Sequence, residues 1–373
     1  MSARRIAIVS DWFAPRRGGI EAQLAQLAQR LGARGHAVDV FTSTPGAREG
    51  EGYRVRPADV WTLPALHLAA SPRLVQRLRR QLDQGYDVVH AHVSVVSPLG
   101  YAGAIAARSL GLPTVLTFHS VLHAKAHVLR AASAVLDLPA SAIVWTAVSR
   151  LVALQAKKAM GVPVLELPNG IELAEWRTLP GARTLETPVT IVSAMRLHRK
   201  KRPRQLVAAF ARAAKHARRP ARLLIVGDGP ERSALDHDIR ALGLNDGPSR
   251  VELHGWVNPN GLRAMYGGAH AFALASRNES FGIAALEARA AGLPVIAMRQ
   301  SGSSEFLEDG TDALLCDDDA DLSRALTEVI RDGALRGCLG QRIPGLERYD
   351  WSAVLNGHEA AYQLATTRAT AVA

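Results

Sequence analysis

The sequence predicts an α/β protein built from two Rossmann-like, doubly wound domains, and three observations predict it. Short β-rich apolar runs alternate with segments of helical period, the pattern of parallel sheets covered by helices. The pattern runs once, stops over residues 171–188, where two prolines and no apolar period mark a linker, and then restarts. The length, 373 residues, accommodates two domains of ordinary size.

In the first half the strand candidates are Ile6–Val9, Val38–Phe41, Val88–Val89, Thr114–Phe118, Ile143–Val148 and Val164–Leu167. Between the first two, Ile20, Leu24, Leu27 and Leu31 recur on one face of a helix, and Gly35 stops it. The second series is Val189–Val192, Leu223–Val226, Val251–Leu253, Ala271–Ala275, Val295–Ala297 and Ala313–Leu315, and residues 349–373 read as a closing helix. The division is therefore residues 1–170, a linker at 171–188, residues 189–348, and the helix at 349–373. Asp11, His90, His92, His119, Ser149 and Asn169 stand where first-half strands end. Ligands of open α/β sheets bind outside the carboxyl ends of strands, so this placement predicts a cleft lined from both domains.

Composition narrows the class. A hydrophobic content of 48% with mean hydropathy +0.01 fits a water-soluble protein, and the longest near-apolar stretch, 131–148, is broken by Asp137 and Pro139. The four-residue apolar run before Asp11 is too short for a signal peptide, which implies a cytoplasmic protein. Cys316 and Cys338 make neither a metal-ligand spacing nor a disulfide framework. The net charge of +11 is uneven: 20 Lys and Arg stand against 12 Asp and Glu before residue 181, and 25 against 22 after it. A basic first half implies an anionic partner, and 5% aromatic content without a stacking platform speaks against nucleic acid. Arg73, Arg77 and Arg80 form a basic stripe, with Leu74, Leu78 and Leu82 on another face. Such a helix suits peripheral contact with an anionic membrane at its inner face, as well as an ordinary surface helix packed through its leucines.

The densest functional signal runs from Glu279 to Glu287 and on through Gly292, Leu293 and Pro294. It reads as loop, helix and strand. Ser280 is the expected N-cap, which would leave the backbone N–H groups of Phe281, Gly282 and Ile283 free for a phosphate at a helix start. Glu287, two turns along, suits ribose hydroxyls, and Glu279 in the loop remains free for a sugar. Gly18 and Gly19, behind Arg16 and Arg17, open the first helix and offer a second phosphate-facing backbone. Three other signals are set aside. Asp236 and Asp238 spell a metal motif inside a helical stretch rather than at a strand end. Asp317, Asp318 and Asp319 precede a helix, whose start they satisfy. His90 and His92 lack a third ligand, so no metal site is expected.

The Glu279–Glu287 run, with Ala291 to Val295 behind it, resembles the Glu-x7-Glu signature of retaining GT-B glycosyltransferases of family 4, the glycogen-synthase-like group. The resemblance extends from the Gly18-Gly19 loop to the closing helix. It implies a GT-B architecture, two domains facing across a cleft, with residues 349–373 crossing back onto the first. It further implies that Arg196 and Lys201, in a run similar to the family's Arg-Leu-x-x-x-Lys element, hold the donor diphosphate in place of a metal. Here Met195 and Arg202 stand where the family has glycines, and Lys200 competes with Lys201. Lys201 and Arg196 are thereby assigned with Glu279 and His119 to the reacting centre. His119, ending Thr117-Phe118-His119, resembles the first-domain histidine that positions the sugar and is not assigned as a general base. Gly227, in Gly227-Asp228-Gly229-Pro230, is similar to the family's glycine turn, and the backbone at His254 to Val257 would meet the base. Ser301 to Glu305 caps the next helix, with Gly302 near the donor.

The expected activity is a retaining, metal-independent transfer of a hexose from a UDP- or GDP-sugar to a hydroxyl acceptor, lipid or glycan, with no other cofactor. The opening through Thr42 and the Leu116-to-His119 stretch resemble transferases that add N-acetylglucosamine to lipids. Two alternatives compete. A sugar-nucleotide epimerase of the same fold needs acid and base carboxylates that the pattern does not supply. A non-catalytic protein that only binds nucleotide-sugars as part of a complex would not need the intact Glu pair and both cations. Acceptor contacts are expected from residues 43–75 and 119–140.

Overall fold

The computed structural model describes residues 2–58, 62–63, 68–69, 73–122, 143–177, 188–340 and 345–372. Most of residues 119–140, part of the 43–75 stretch and the center of the expected linker lie outside the described residues. The chain divides into two compact units, one of residues 1–170 with 351–373, the other of residues 171–350.

The first unit contains β1 (Arg5–Ser10), α1 (Gly19–Ala33), β2 (Ala37–Thr42), β3 (Tyr53–Pro57) and the small antiparallel pair β4 (Thr62–Leu63) and β5 (Leu68–Ala69). It continues through α2 (Leu74–Leu82), β6 (Val88–Val93), α3 (Pro98–Ser109), β7 (Thr114–Phe118), β8 (Ile143–Ala147), α4 (Arg150–Met160) and β9 (Leu165–Glu166). The sheet is parallel in the order β3-β2-β1-β6-β7-β8-β9, so the chain reverses direction across the sheet between β1 and β6. Both faces are covered, which is why β1, β6, β7 and β8 are buried without alternation. β3 escapes the sequence pattern because only Val55 of its five residues is buried and arginines flank it.

The second unit opens with α5 (Leu173–Arg177) and β10 (Val189–Ala194). It continues through α6 (Pro203–Ala217), β11 (Ala221–Val226), α7 (Arg232–Ala241), β12 (Arg250–Gly255) and α8 (Pro259–Gly267). Next come β13 (Ala271–Leu274), α9 (Ile283–Ala290), β14 (Val295–Met298), β15 (Ala313–Cys316), α10 (Asp319–Arg331) and α11 (Gly333–Leu339). Its strand order, β12-β11-β10-β13-β14-β15, is again parallel and doubly wound, with the reversal between β10 and β13.

Two expectations are corrected. Residues 173–177 are no linker: they form α5, whose Trp176 is buried with its ring 5.4 Å from that of Tyr266 in the second unit. The closing helix α12 spans Trp351–Val372 and starts two residues later than expected. It belongs to the first unit. Trp351, Val354, Leu355 and Tyr362 join the core around Ile6, Ile8 and Leu24. Gly170 is needed there, because a Cβ would lie 2.6 Å from the Trp351 ring, and Gln23 clamps its backbone with bonds of 2.8 and 3.0 Å.

Candidate active site

In the second unit the sequence-selected residues gather where the winding reverses. β10 ends at Ala194, and Arg196 follows in the loop, its side chain exposed and without a hydrogen-bonding partner among the described residues. Lys201 closes a 3₁₀ turn, Arg199–Lys201, that His198 caps by accepting the Lys200 N–H at 3.2 Å. β13 ends at Leu274, and the loop after it carries Glu279. The Lys201 Nζ donates to Glu279 Oε2 at 2.6 Å. This corrects the expectation of a free Glu279: its carboxylate is buried and paired with the cation assigned to the diphosphate.

Arg202, where the family has glycine, occupies the left-handed region at φ 57° and ψ 44°, and so keeps the backbone shape a glycine provides. Its guanidinium binds both oxygens of Asp319 at 2.7 Å and the Ala275 carbonyl at 3.2 Å, which holds the strained position in place. Lys200 points elsewhere. Its backbone carbonyl accepts from Ser276 Oγ at 3.4 Å, while its side chain is exposed and lines a separate cavity.

Ser280 is not the helix cap. The N-cap of α9 is Gly282, at φ 92°, a conformation that L side chains rarely adopt. With the helix starting at Ile283, the N–H groups of Ile283 and Ala284 have no acceptor among the described residues, and they present the positive end of the helix. The loop is rigid by construction. Phe281 is buried between Phe306 and Tyr349, with ring centroids at 5.6 and 5.7 Å. Gly302 donates its N–H to the Glu279 carbonyl at 2.8 Å, and a Cβ there would lie 2.3 Å from the Ser280 oxygen. Gly302 thus serves the Glu279 loop by close packing. Its short helix, Gly302–Glu305, has no side-chain cap from Ser301, whose hydroxyl instead binds Met298 O and Ser303.

Glu287 lies half-buried on α9. Desolvation pushes its carboxyl up to about 8, against the weaker opposing pull of Arg263, which is itself ion-paired with Glu175. The neighboring Tyr266 donates its hydroxyl to Ala284 O at 3.1 Å, and burial raises its own pKa. Gly227, at φ 129°, donates its N–H to Gly255 O at 2.7 Å. A Cβ on Gly227 would lie 1.9 Å from Met195 O, and one on Gly229 2.3 Å from Leu197 O. These glycines let the turn after β11 pack on the Arg196 loop, a structural need sufficient to explain them. Asp236 and Asp238 lie on α7, paired with Arg240 and Arg204, and Asp318 caps α10 by accepting from Ala320 and Asp321.

In the first unit Gly18 is the N-cap of α1, and Glu21 rather than an outside anion occupies that helix start. A Cβ on Gly18 would lie 2.2 Å from the Glu21 carboxylate, which also pairs with Arg16 at 3.2 Å. Any phosphate at Gly18 and Gly19 would have to share this start with Glu21. Asp11 is likewise used internally, accepting from Leu99 and Gly100 at the start of α3.

His90 and His92 are not strand-end groups but lie inside β6, fully buried. His92 Nδ1 and His119 Nε2 share a hydrogen bond of 2.9 Å. His90 bonds to Thr117 at 2.7 Å and to Tyr362 of α12 at 3.0 Å. The ring of His358, also from α12, lies 5.4 Å from that of His90. Burial holds His119 down to about 4 and His358 to about 3, so all these imidazoles are neutral at pH 7. A pKa held down to about 4, with Nε2 already engaged by His92, makes His119 a weak base. His358 is invisible in the sequence, because nothing near it on the helix marks it as a partner of residues some 270 positions earlier. Among the described residues no group of His, Cys, Asp and Glu has the arrangement of a metal site.

Comparison with known proteins agrees with this architecture. Residues 178–344 match the family described as glycosyl transferases group 1, and residues 17–175 match glycosyltransferase family 4. A D-inositol 3-phosphate glycosyltransferase of Acidothermus cellulolyticus is 30% identical, over 95% of this chain and 89% of the relative. A phosphatidylinositol N-acetylglucosaminyltransferase component of Arabidopsis thaliana is 29% identical, over 87% of this chain and 74% of the relative. The solved structure of Anabaena HepE in complex with UDP and glucose shares the fold, with a TM-score of 0.77 at 20% identity, over 97% of this chain and 100% of that one. The chain is a glycosyltransferase of GT-B fold and belongs to glycosyltransferase family 4.

Proposed function

We propose that the enzyme moves a hexose, with retention and without a metal, from a UDP- or GDP-sugar to a hydroxyl of an inositol phosphate or of its lipid. One observation supports the donor half of this reading: the Lys201–Glu279 pair and the open start of α9 lie in the loops after β10 and β13, where the second sheet reverses, and Arg196 stands in the first of these loops. Ligands of doubly wound sheets bind at that point. Arg196 and Lys201 supply fixed positive charge where the leaving diphosphate gains negative charge, the work a divalent cation does elsewhere. Ile283 and Ala284 add backbone donors, Glu287 takes the ribose, and Glu279 orients the sugar once Lys201 turns to phosphate. The acceptor half is supported by relatives named for D-inositol 3-phosphate and phosphatidylinositol. The exposed arginines of α2, whose leucines are buried, suit an acceptor held at an anionic membrane.

The test is a thermal-shift panel of UDP, GDP and ADP in EDTA, followed by transfer assays with D-inositol 3-phosphate and phosphatidylinositol. A ligand of the folded state raises its melting temperature. Stabilization by UDP or GDP, with an α-linked product from an α-linked donor, is expected. Inversion of the linkage, or a shift seen only with added magnesium or manganese, would refute the mechanism.

A further inference from the structure

We infer that the second unit carries an anion site, distinct from the donor site, that takes a phosphomonoester. A cavity of about 450 Å³ is lined by Arg199, Lys200, Arg204, Arg277 and, as its one carboxylate, Glu231. Arg202, also in its wall, shares Asp319 with Arg277, which lies 3.5 Å from that carboxylate, and Arg204 is paired with Asp238 at 2.5 Å. Arg199 and Lys200 have no carboxylate partner among the described residues and are exposed. Hydrogen bonds fix the backbone of this wall. The 3₁₀ turn bearing Arg199 and Lys200 is closed by the His198 cap and by Lys201 N–H to His198 O at 2.8 Å, and Arg202 anchors its end. Two cations without a carboxylate partner among the described residues, carried on this turn and facing a concave site, match the charge of about −1.5 to −2 on a phosphate monoester at neutral pH. The turn also separates this site from the donor site: Lys201 faces Glu279, while its neighbors Arg199 and Lys200 face the cavity.

The phosphate group is the shared chemistry of two sources, a soluble phosphorylated polyol and a lipid headgroup ending in a monoester. The test uses the full chain saturated with UDP, so that the donor site is filled. Calorimetry with glycerol 2-phosphate probes the soluble source. Co-sedimentation with vesicles of phosphatidic acid in phosphatidylcholine probes the lipid source, and phosphatidylglycerol, a diester, controls for charge alone. Arg199→Gln with Lys200→Gln should weaken monoester binding at least tenfold while changing UDP affinity less than threefold. Lys215→Gln with Arg218→Gln, which removes two charges at the far end of α6, should leave monoester binding within twofold. Preference for glycerol 2-phosphate over vesicles assigns the soluble source, and the reverse assigns the lipid. Unchanged monoester binding in the first variant overturns the site. Equal losses in both variants, or equal binding of the two lipids with no binding of glycerol 2-phosphate, overturn it in favor of diffuse charge attraction.

Discussion

Lys201 and Glu279, 78 positions apart in sequence, meet at 2.6 Å. The Glu279 side chain is only 12% exposed, and Lys201 is its ion-pair partner. On the proposed roles, a donor diphosphate would compete with Glu279 for Lys201, and the sugar would meet the carboxylate so released. Glu279→Gln should leave UDP affinity unchanged or a few-fold tighter, because it frees the cation, while turnover falls by roughly 100-fold, the pattern of a group needed mainly in the transition state. Matched losses of UDP affinity and turnover would show that Glu279 instead holds the nucleotide.

The raised pKa of Glu287 has a consequence for stability. Its native value of about 8 lies above the ordinary 4.5, so between these values the native state holds a proton that the unfolded chain has released. The contribution of Glu287 to stability is then lost as pH rises through that window, and is gone above about 8. Glu287→Gln removes the dependence. Melting temperatures of the unliganded variant and wild type should be close near pH ~5 and diverge by pH ~9 in the variant's favor. A constant difference across the range would place the Glu287 carboxyl in water.

The buried histidines give the opposite slope. The unfolded chain binds protons near 6.5, while His119 and His358 resist them down to about 4 and about 3. First-unit stability should thus be present above 6.5 and fall as pH drops from there toward 4. His358→Phe, with one fewer such group, should show a shallower acid limb in thermal unfolding. An unchanged limb would assign acid sensitivity to other groups.

Gly302 packs closely on the Glu279 loop, and Gly302→Ala should weaken UDP binding by about tenfold, since the added methyl forces the Ser280 carbonyl away and displaces that loop. Overpacking of this kind costs about 1–3 kcal/mol. Gly337→Ala, with open space around it in α11, serves as the neutral control. Wild-type affinity in Gly302→Ala, read by calorimetry, would mean that the loop yields without consequence.

The sheet strands are legible in the sequence because both faces are buried, so their residues are largely apolar, as in Thr114–Phe118 and Val189–Ala194. The apolar pattern cuts β6 short at Val89, because His90 and His92 look polar. Only the fold shows that Tyr362, Thr117 and His119 satisfy them. The identity of the donor-side residues is legible through local spacing, but their pairing is not. Whether Lys200 or Lys201 reaches Glu279 depends on the phase of a 3₁₀ turn, and the αL backbone that sets this phase is carried by an arginine rather than the glycine that would have signaled it.

The central claim is that protein cations, Arg196 and Lys201, hold the donor diphosphate in place of a metal. Calorimetric titration of UDP into wild type, Arg196→Ala and Lys201→Ala, all in excess EDTA, tests it most directly. Wild type should bind, and each variant should lose about 1.5–3 kcal/mol, the worth of a charged hydrogen bond. No binding by wild type until magnesium or manganese is added, or undiminished binding by both variants, would contradict it.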